Sequence, residues 1–210
     1  MFIAFEGLDG AGKSTLLKSL ATHLQSLQIE FILTREPGGT RLAEEIRNIL
    51  LKVDDEIPFS RTEALLYQAA RAQHVAQVIQ PALLKKSWVL CDRFSASSIA
   101  FQAFARGLEL PAIEWLNQFA TQNIFPDLNV LLDLSVEESQ LRTTTRNRTQ
   151  GAVDDRFEQE AQEFHQKVRE GFLYQVKKAP AAWLVLDATQ PSQDLFAELV
   201  TELKIRKYFS

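Results

Sequence analysis

Nine consecutive residues, Gly7-Leu8-Asp9-Gly10-Ala11-Gly12-Lys13-Ser14-Thr15, fit the pattern G-x-x-x-x-G-K-[ST] without a gap. An apolar run, Phe2 to Phe5, precedes them, and an amphipathic run, Leu16 to Leu27, follows. Strand, loop, helix is the order in which this pattern holds phosphate. The glycines let backbone N–H groups curl around phosphate oxygens, and the helix start adds partial positive charge. Lys13 can reach the outer phosphates, and the Ser14 hydroxyl can bind magnesium. A glycine-rich turn that only opens a helix is the alternative, and the flanking context argues against it.

Further chemistry-bearing residues follow other apolar runs. Asp92 follows Trp88-Val89-Leu90-Cys91, like the acid that supports magnesium in phosphate-loop proteins, although a plain strand-end carboxylate would look the same. Arg93 beside it can grip a phosphate through a bidentate fork, and Arg35 and Arg47 are further candidates. Arg47 either points back into a cleft or sits on a solvated helix face. Tyr67 and Arg71 are spaced i, i+4 and share a helix face. They suit stacking on a base, although the spacing by itself favours a half-buried tyrosine packed on an arginine stem. Cys91 reads as a buried strand residue and not a nucleophile. His23, His74 and His165 are scattered without zinc-ligand spacing and read as surface or packing histidines.

The elements that must position these groups alternate. Strands are predicted at 2–6, 29–34, 87–91, 129–133 and 183–187. Helices are predicted at 13–27, 40–51, 61–85, 95–104, 111–121, 135–146, 157–177 and 192–205. Such alternation implies a five-stranded parallel sheet flanked by helices, a three-layer α/β arrangement with right-handed crossovers. Its ligand site belongs at the carboxyl ends of the strands, where Asp92, Asp133 and Asp187 fall. The polar stretch T-T-T-R-N-R-T-Q-G-A-V-D-D (143–155) reads as a solvated connection or as a lid over the phosphates.

The 210 residues suggest one domain, and 46% hydrophobic content suffices for its core. A net charge of −4 argues against a nucleic-acid binder. A single cysteine allows no internal disulfide, which suits a reducing, cytoplasmic setting. The first residues lack a signal-peptide pattern, and no apolar run is long enough to span a bilayer.

Several segments together resemble the bacterial thymidylate kinase family, nucleoside monophosphate kinases of the P-loop fold. They are F-E-G-L-D-G-A-G-K-S-T (5–15), T-R-E-P-G-G-T (34–40), L-L-Y-Q-A-A-R (65–71), D-R-F-S-A-S-S-I-A-F-Q (92–102), P-D-L-N-V-L-L-D-L (126–134), D-D-R-F-E (154–158) and D-A-T-Q-P (187–191). The resemblance covers nearly the whole chain. It implies one domain with a lid insert at about 142–156, ATP as phosphoryl donor, dTMP as acceptor, Mg²⁺ and a homodimer. Under it, Gly7 to Thr15 hold the ATP phosphates, with Ser14 and Asp92 on the metal. Asp9 contacts the acceptor sugar or the arginine that orients its phosphate. Arg47, Arg71 and Arg93 grip the acceptor phosphate or base. Tyr67 stacks on thymine, Phe101 crowds the sugar 2′ carbon, and Ser98 and Gln102 offer polar base contacts. Phe94 replaces the family's usual Tyr or His after D-R, Tyr67 replaces its commoner Phe, and Ser98 is shorter than the Asn of some members.

Some members carry an arginine inside the phosphate loop, but Leu8-Asp9-Gly10-Ala11 has none. Positive charge for phosphoryl transfer must then come from Arg142, Arg146, Arg148 or Arg156, with Arg146 or Arg148 expected to serve the transition state. Two rival readings are a kinase of another small acceptor on the same fold and a nucleotide-dependent switch. No N-K-x-D guanine signature is present.

Overall fold

The computed structural model describes residues 1–53, 56–150 and 156–209. Five strands form one parallel sheet in the order β2-β3-β1-β4-β5. They are β1 (Phe2–Glu6), β2 (Phe31–Arg35), β3 (Trp88–Asp92), β4 (Leu128–Asp133) and β5 (Trp183–Asp187). β1 is central and buried along its whole length, as its continuous apolar run requires of a strand covered on both faces.

Successive residues of β1 point to opposite layers. Ile3 and Phe5 join Leu90, Val130 and Leu132 against α1 (Lys13–Ser26) and α9 (Ser192–Ile205), through Leu16, Leu20, Leu24, Leu195, Leu199 and Leu203. Phe2 and Ala4 face the other way with Val89 and Cys91, toward Val75, Ile79 and Phe94. A third cluster, built on Leu131, Phe101, Val168 and Phe172, fills that second layer beside the site.

The remaining helices are α2 (Arg41–Leu51), α3 (Ser60–His74), α4 (Gln80–Leu84), α5 (Ser95–Ser98), α6 (Leu110–Thr121), α7 (Val136–Gln150) and α8 (Gln162–Lys178). Thr40 caps α2, its hydroxyl accepting from the Ala43 N–H at 3.1 Å.

Several boundaries differ from expectation. The predicted helix at 61–85 is α3 and α4 joined by a π-helical turn, Val75–Ile79. Pro81, at the start of α4, has no N–H to donate to the preceding turn. The predicted helix at 95–104 is α5 followed by a longer π segment, Ile99–Ala105. Hydrophobic period alone does not separate α from π. β2 starts two residues late because Gln28 turns left-handed (φ 58°) and the Ile29 N–H closes α1 on the Leu24 carbonyl at 3.0 Å. α8 begins at Gln162, five residues later than expected, after a turn. α7 continues to Gln150, so 143–150 is helix and not a connection. The rest of the expected lid, 151–155, with Asp154 and Asp155, lies outside the described residues. No helix among the described residues is long and apolar enough to cross a membrane.

Candidate active site

The phosphate loop leaves β1 at Gly7, where φ is 130° and an added Cβ would lie 2.4 Å from the Leu132 carbonyl oxygen. Only glycine fits there. α1 starts from Gly12, also left-handed, with no side-chain cap. Its first-turn N–H groups are therefore not spoken for by a side chain, and the helix start is open to an anion. The Lys13 ammonium folds back onto the Gly7 and Leu8 carbonyls at 3.1 and 2.9 Å. Burial and the nearby Arg93 lower its pKa, against Asp9, Asp92 and Glu6, which raise it. Leu8 and Ala11 are packed in the core, while Asp9, Gly10, Gly12, Lys13, Ser14 and Thr15 line a cavity of about 550 Å³.

Ser14 donates its hydroxyl to the Asp92 carboxylate at 2.9 Å. A hydroxyl and a carboxylate side by side are hard oxygen donors of the kind magnesium takes alongside phosphate and water. Among the described residues, no group of three or more acidic, His or Cys side chains forms a metal cage. Any ion here would thus be completed by ligands from outside the protein.

Arg93 ties the loop to the end of β3. Its Nη2 donates to Asp9 at 2.8 Å, its Nη1 to the Ser97 hydroxyl at 3.4 Å, and its guanidinium lies over the Phe101 ring. Its backbone is left-handed, with φ 66°. Desolvation works to raise the Asp9 pKa, but Arg93 and Lys13 outweigh it and hold the carboxyl well below its ordinary range. Burial works to lower the pKa of Arg93, but Asp9, Asp92 and Glu6 raise it further. The pair is fully charged at neutral pH.

On the far side of the cavity stand Tyr67, Arg71, Ser98, Phe101 and Gln102, with Arg47 at the edge. Arg47 donates to the Pro37 carbonyl at 2.9 Å. Arg71 is buried and held from several sides. Its Nε donates to Glu36 at 2.7 Å, its Nη1 to Gln68, Ser98 and Asn117, and its Nη2 to the Phe94 carbonyl. Gln102 donates its amide to Glu63 at 2.9 Å, and Tyr67 packs edge-on against Phe157. Arg35 also lines the cavity but pairs with Glu44 at 3.0 Å.

The lid arginines divide. Arg142 and Arg146 line the cavity. Arg142 donates to Glu138 and to the Ala188 carbonyl, and Arg146 pairs with Glu158. Arg148 sits on an exposed face of α7 and is not among the cavity's described lining. Arg156 is buried, donating to Glu63 at 2.7 Å and to the Leu50 carbonyl at 2.9 Å, which makes it a tie between helices.

Several residues escaped the sequence reading. Glu6, at the end of β1, is fully buried and accepts from the Phe94 N–H at 2.8 Å and the Ser97 hydroxyl at 2.6 Å. Burial pushes its pKa up to about 7, against the lowering effect of Arg93, Ser97, Phe94 and Lys13. A lone glutamate in an otherwise apolar strand was the available signal. Glu36 holds both Arg71 and His74. His74 is a packing histidine, and its hydrogen bonds were not foreseen. It is fully buried, with Nδ1 on Glu36 at 2.9 Å and Nε2 on the Thr34 hydroxyl at 2.6 Å. Asn117 and Phe157 were likewise unmarked, because their roles arise only from contacts distant in sequence.

Residues 5–199 match the sequence profile of the family described as Thymidylate kinase. Over 206 residues the chain is 52% identical to the thymidylate kinase of Bdellovibrio bacteriovorus, covering 98% of this chain and 96% of that protein. It is 45% identical over 206 residues to the thymidylate kinase of Lactobacillus acidophilus, covering 98% and 94%. Its fold overlays the crystal structure of thymidylate kinase from Ehrlichia chaffeensis with a TM-score of 0.76 at 32% identity, covering 97% of this chain and 98% of that one. A phosphate loop and a second, arginine-lined pocket open on one cavity, and both the sequence and the fold match: this chain belongs to the thymidylate kinase family.

Proposed function

We propose that this protein transfers the γ-phosphoryl group of ATP to dTMP, giving dTDP and ADP, as a step toward dTTP. The single observation that carries this reading is the continuity of one cavity from Lys13 and Ser14 to Tyr67 and Arg71, with the Asp9–Arg93 pair at the junction. A donor and an acceptor placed at its two ends would meet beside Arg93.

The chemistry asked of the protein is positioning and charge neutralisation. An oxygen of the dTMP phosphate attacks the γ-phosphorus of ATP. The bond from that phosphorus to the β-phosphate oxygen breaks, and ADP leaves with the electron pair. Gly7 to Thr15 receive the donor phosphates, with Lys13 exchanging its two carbonyl partners for phosphate oxygens. Arg93 holds the acceptor phosphate, with Asp9 fixing its direction. Arg47 adds charge from the cavity edge. Tyr67 stacks on thymine, Arg71 and Gln102 border the base, and Ser98 acts through Arg71. Phe101 fills the space beside the sugar. Arg146 leaves Glu158 to reach the migrating group, and Arg148 is the weaker candidate because, of the two exposed side chains, only Arg146 is among the described lining of the cavity. Ser14 and Asp92 would hold Mg²⁺, which when bound neutralises phosphate charge.

A homodimer is supported by an exposed apolar face on α3 and α6. Trp115 and Phe119 stack there, 5.5 Å between centroids, and Leu65 is also exposed. A face of this kind on a globular domain calls for a partner, and light scattering on Phe119→Glu tests it by the loss of dimer mass. A cytoplasmic setting fits the lone cysteine, buried with its thiol pushed well up by burial.

Coupled ADP release over a panel of monophosphates tests the whole reading. Stimulation by dTMP well above that by CMP, UMP or dGMP is expected. ADP release without any acceptor dependence would overturn it.

A further inference from the structure

A second cavity, of about 460 Å³, lies behind the wall that bounds the first. That wall is α5 with its π-helical continuation. Ser97, Ser98, Phe101 and Gln102 face the first cavity, while Ser95, Ala96 and Ile99 face the second. α6, the end of α8 and the starts of β4 and β5 supply the other sides, through Asn117, Tyr174, Gln175, Asn129 and Trp183. None of the groups lining the second cavity lines the first.

Two amides give this space a recognition chemistry. The Gln175 NH₂ donates to the Ala96 and Gly171 carbonyls at 3.1 and 3.0 Å, which fixes its orientation and uses both of its hydrogens. Its carbonyl oxygen accepts no hydrogen bond among the described residues. It is also not one of the sealed polar atoms left without a partner, so it touches solvent, although the residue is only 9% exposed. Asn117 uses its carbonyl twice, accepting from Gln68 at 2.8 Å and Arg71 at 2.7 Å. Its NH₂ donates once, to the Ser95 carbonyl at 3.0 Å, leaving one hydrogen. Both residues line the cavity, so an acceptor on Gln175 and a spare donor hydrogen on Asn117, itself only 3% exposed, belong to its wall. Tyr174, Phe125 and Trp183 give it aromatic sides. Glu114 and Lys178 at its lining pair with each other at 2.8 Å and cancel in charge. Aromatic surface, an amide pair and no net charge match a flat, uncharged ring bearing a carboxamide or lactam edge.

Asn117 also connects the two cavities. The same carbonyl that faces Arg71 belongs to a side chain lining the second cavity, and Arg71 lines the first. We propose that the second cavity is a binding site for a small, flat, uncharged aromatic amide or lactam, and that its occupancy is coupled to acceptor binding through Asn117 and Arg71. The coupling half rests on the first cavity being the dTMP site, whereas the binding half does not. A ligand that pulls on the Asn117 NH₂ shifts its carbonyl, and with it the guanidinium bordering the base. Such linkage is reciprocal, each ligand changing the affinity of the other by the same factor.

The probe is nicotinamide, titrated into the full-length ¹⁵N-labelled protein. The chain has 3 tryptophans, so the indole N–H region holds three signals, and Trp183→Phe assigns one of them. A saturable shift of the Trp183 signal is expected. Ala179→Phe, on an exposed residue of the cavity lining, is expected to abolish that shift while turnover with ATP and dTMP persists. Tyr174→Ala is expected to weaken nicotinamide at least about threefold, again with turnover kept. No shift in the parent protein, or an undiminished shift in both variants, would overturn the site. Saturating dTMP is expected to change the nicotinamide affinity about fivefold or more, the lower end of ordinary coupling. An unchanged affinity, with dTMP binding confirmed by calorimetry, would overturn the coupling. Absence of dTMP binding by calorimetry would instead overturn the reading of the first cavity and leave the Trp183 result standing.

Discussion

Arg93 and Asp9 share a 2.8 Å hydrogen bond that joins the end of β3 to the inside of the phosphate loop. Each holds the other in its charged form, so the loop carries a carboxylate whose purpose is to aim a guanidinium. Asp9→Asn keeps the shape and removes the charge, and kcat/KM for dTMP is expected to fall roughly a hundredfold, in the range of a lost charge-assisted contact. Arg93→Lys keeps charge without the fork and is expected to cost a similar factor. The double variant should cost much less than the product of the two, because each single change already breaks the same pair. Steady-state kinetics on the four proteins decides it, and strict additivity would contradict the pairing.

Asp92 and Ser14 make a different prediction, read in magnesium dependence. Asp92→Asn should raise the Mg²⁺ concentration for half-maximal rate about tenfold, as loss of a metal-supporting carboxylate does. An unchanged Mg²⁺ titration would place the ion elsewhere.

Arg146 and Arg148 are two residues apart on α7, yet only Arg146 lines the cavity. Arg146→Ala is expected to lower kcat by about a thousandfold, the scale of an arginine that meets the migrating phosphoryl group. Arg148→Ala should stay within about twofold. Single-turnover rates for both variants check the contrast, and near-normal turnover in Arg146→Ala would remove it from the mechanism.

Glu6 predicts a pH dependence of stability. Its folded pKa, about 7, lies above the ordinary 4.5. Between those values the folded protein holds a proton that the unfolded chain has released. Stability therefore falls as pH rises from about 4.5 to about 7, by on the order of 3 kcal/mol for this group alone. Glu6→Gln imitates the protonated form, with its carbonyl to Phe94 and its amide to Ser97. Urea denaturation at pH 5 and pH 7.5 should show a smaller loss in this variant than in the parent.

The sheet and the phosphate-loop side of the cavity were legible because their signals are local. G-x-x-x-x-G-K-[ST] is contiguous, and Asp92 directly ends an apolar run. Arg156 and Arg148 were harder, since a basic residue near a lid reads the same whether it faces a phosphate, a buried Glu63 or water. The spacing of Tyr67 and Arg71 gave a shared face but could not reveal that Glu36, Ser98 and Asn117 converge on the same guanidinium from three other segments. The hydrogen bonds of His74 were hidden for the same reason: its partners, Thr34 and Glu36, are 40 and 38 residues away. The π-helical turns remained hidden because the apolar stripe on one face is almost the same in both helix types.

The left-handed backbone of Arg93 has a consequence for how this domain can evolve. A side chain there costs conformational energy that glycine would not. The replacement that relaxes the backbone most, Arg93→Gly, also strips the Asp9 carboxylate of its guanidinium partner and empties the space over the Phe101 ring. That loss outweighs the relief of one left-handed residue, so the strained main chain is held in place by the pair it presents, and selection for heat resistance alone would be expected to keep the arginine.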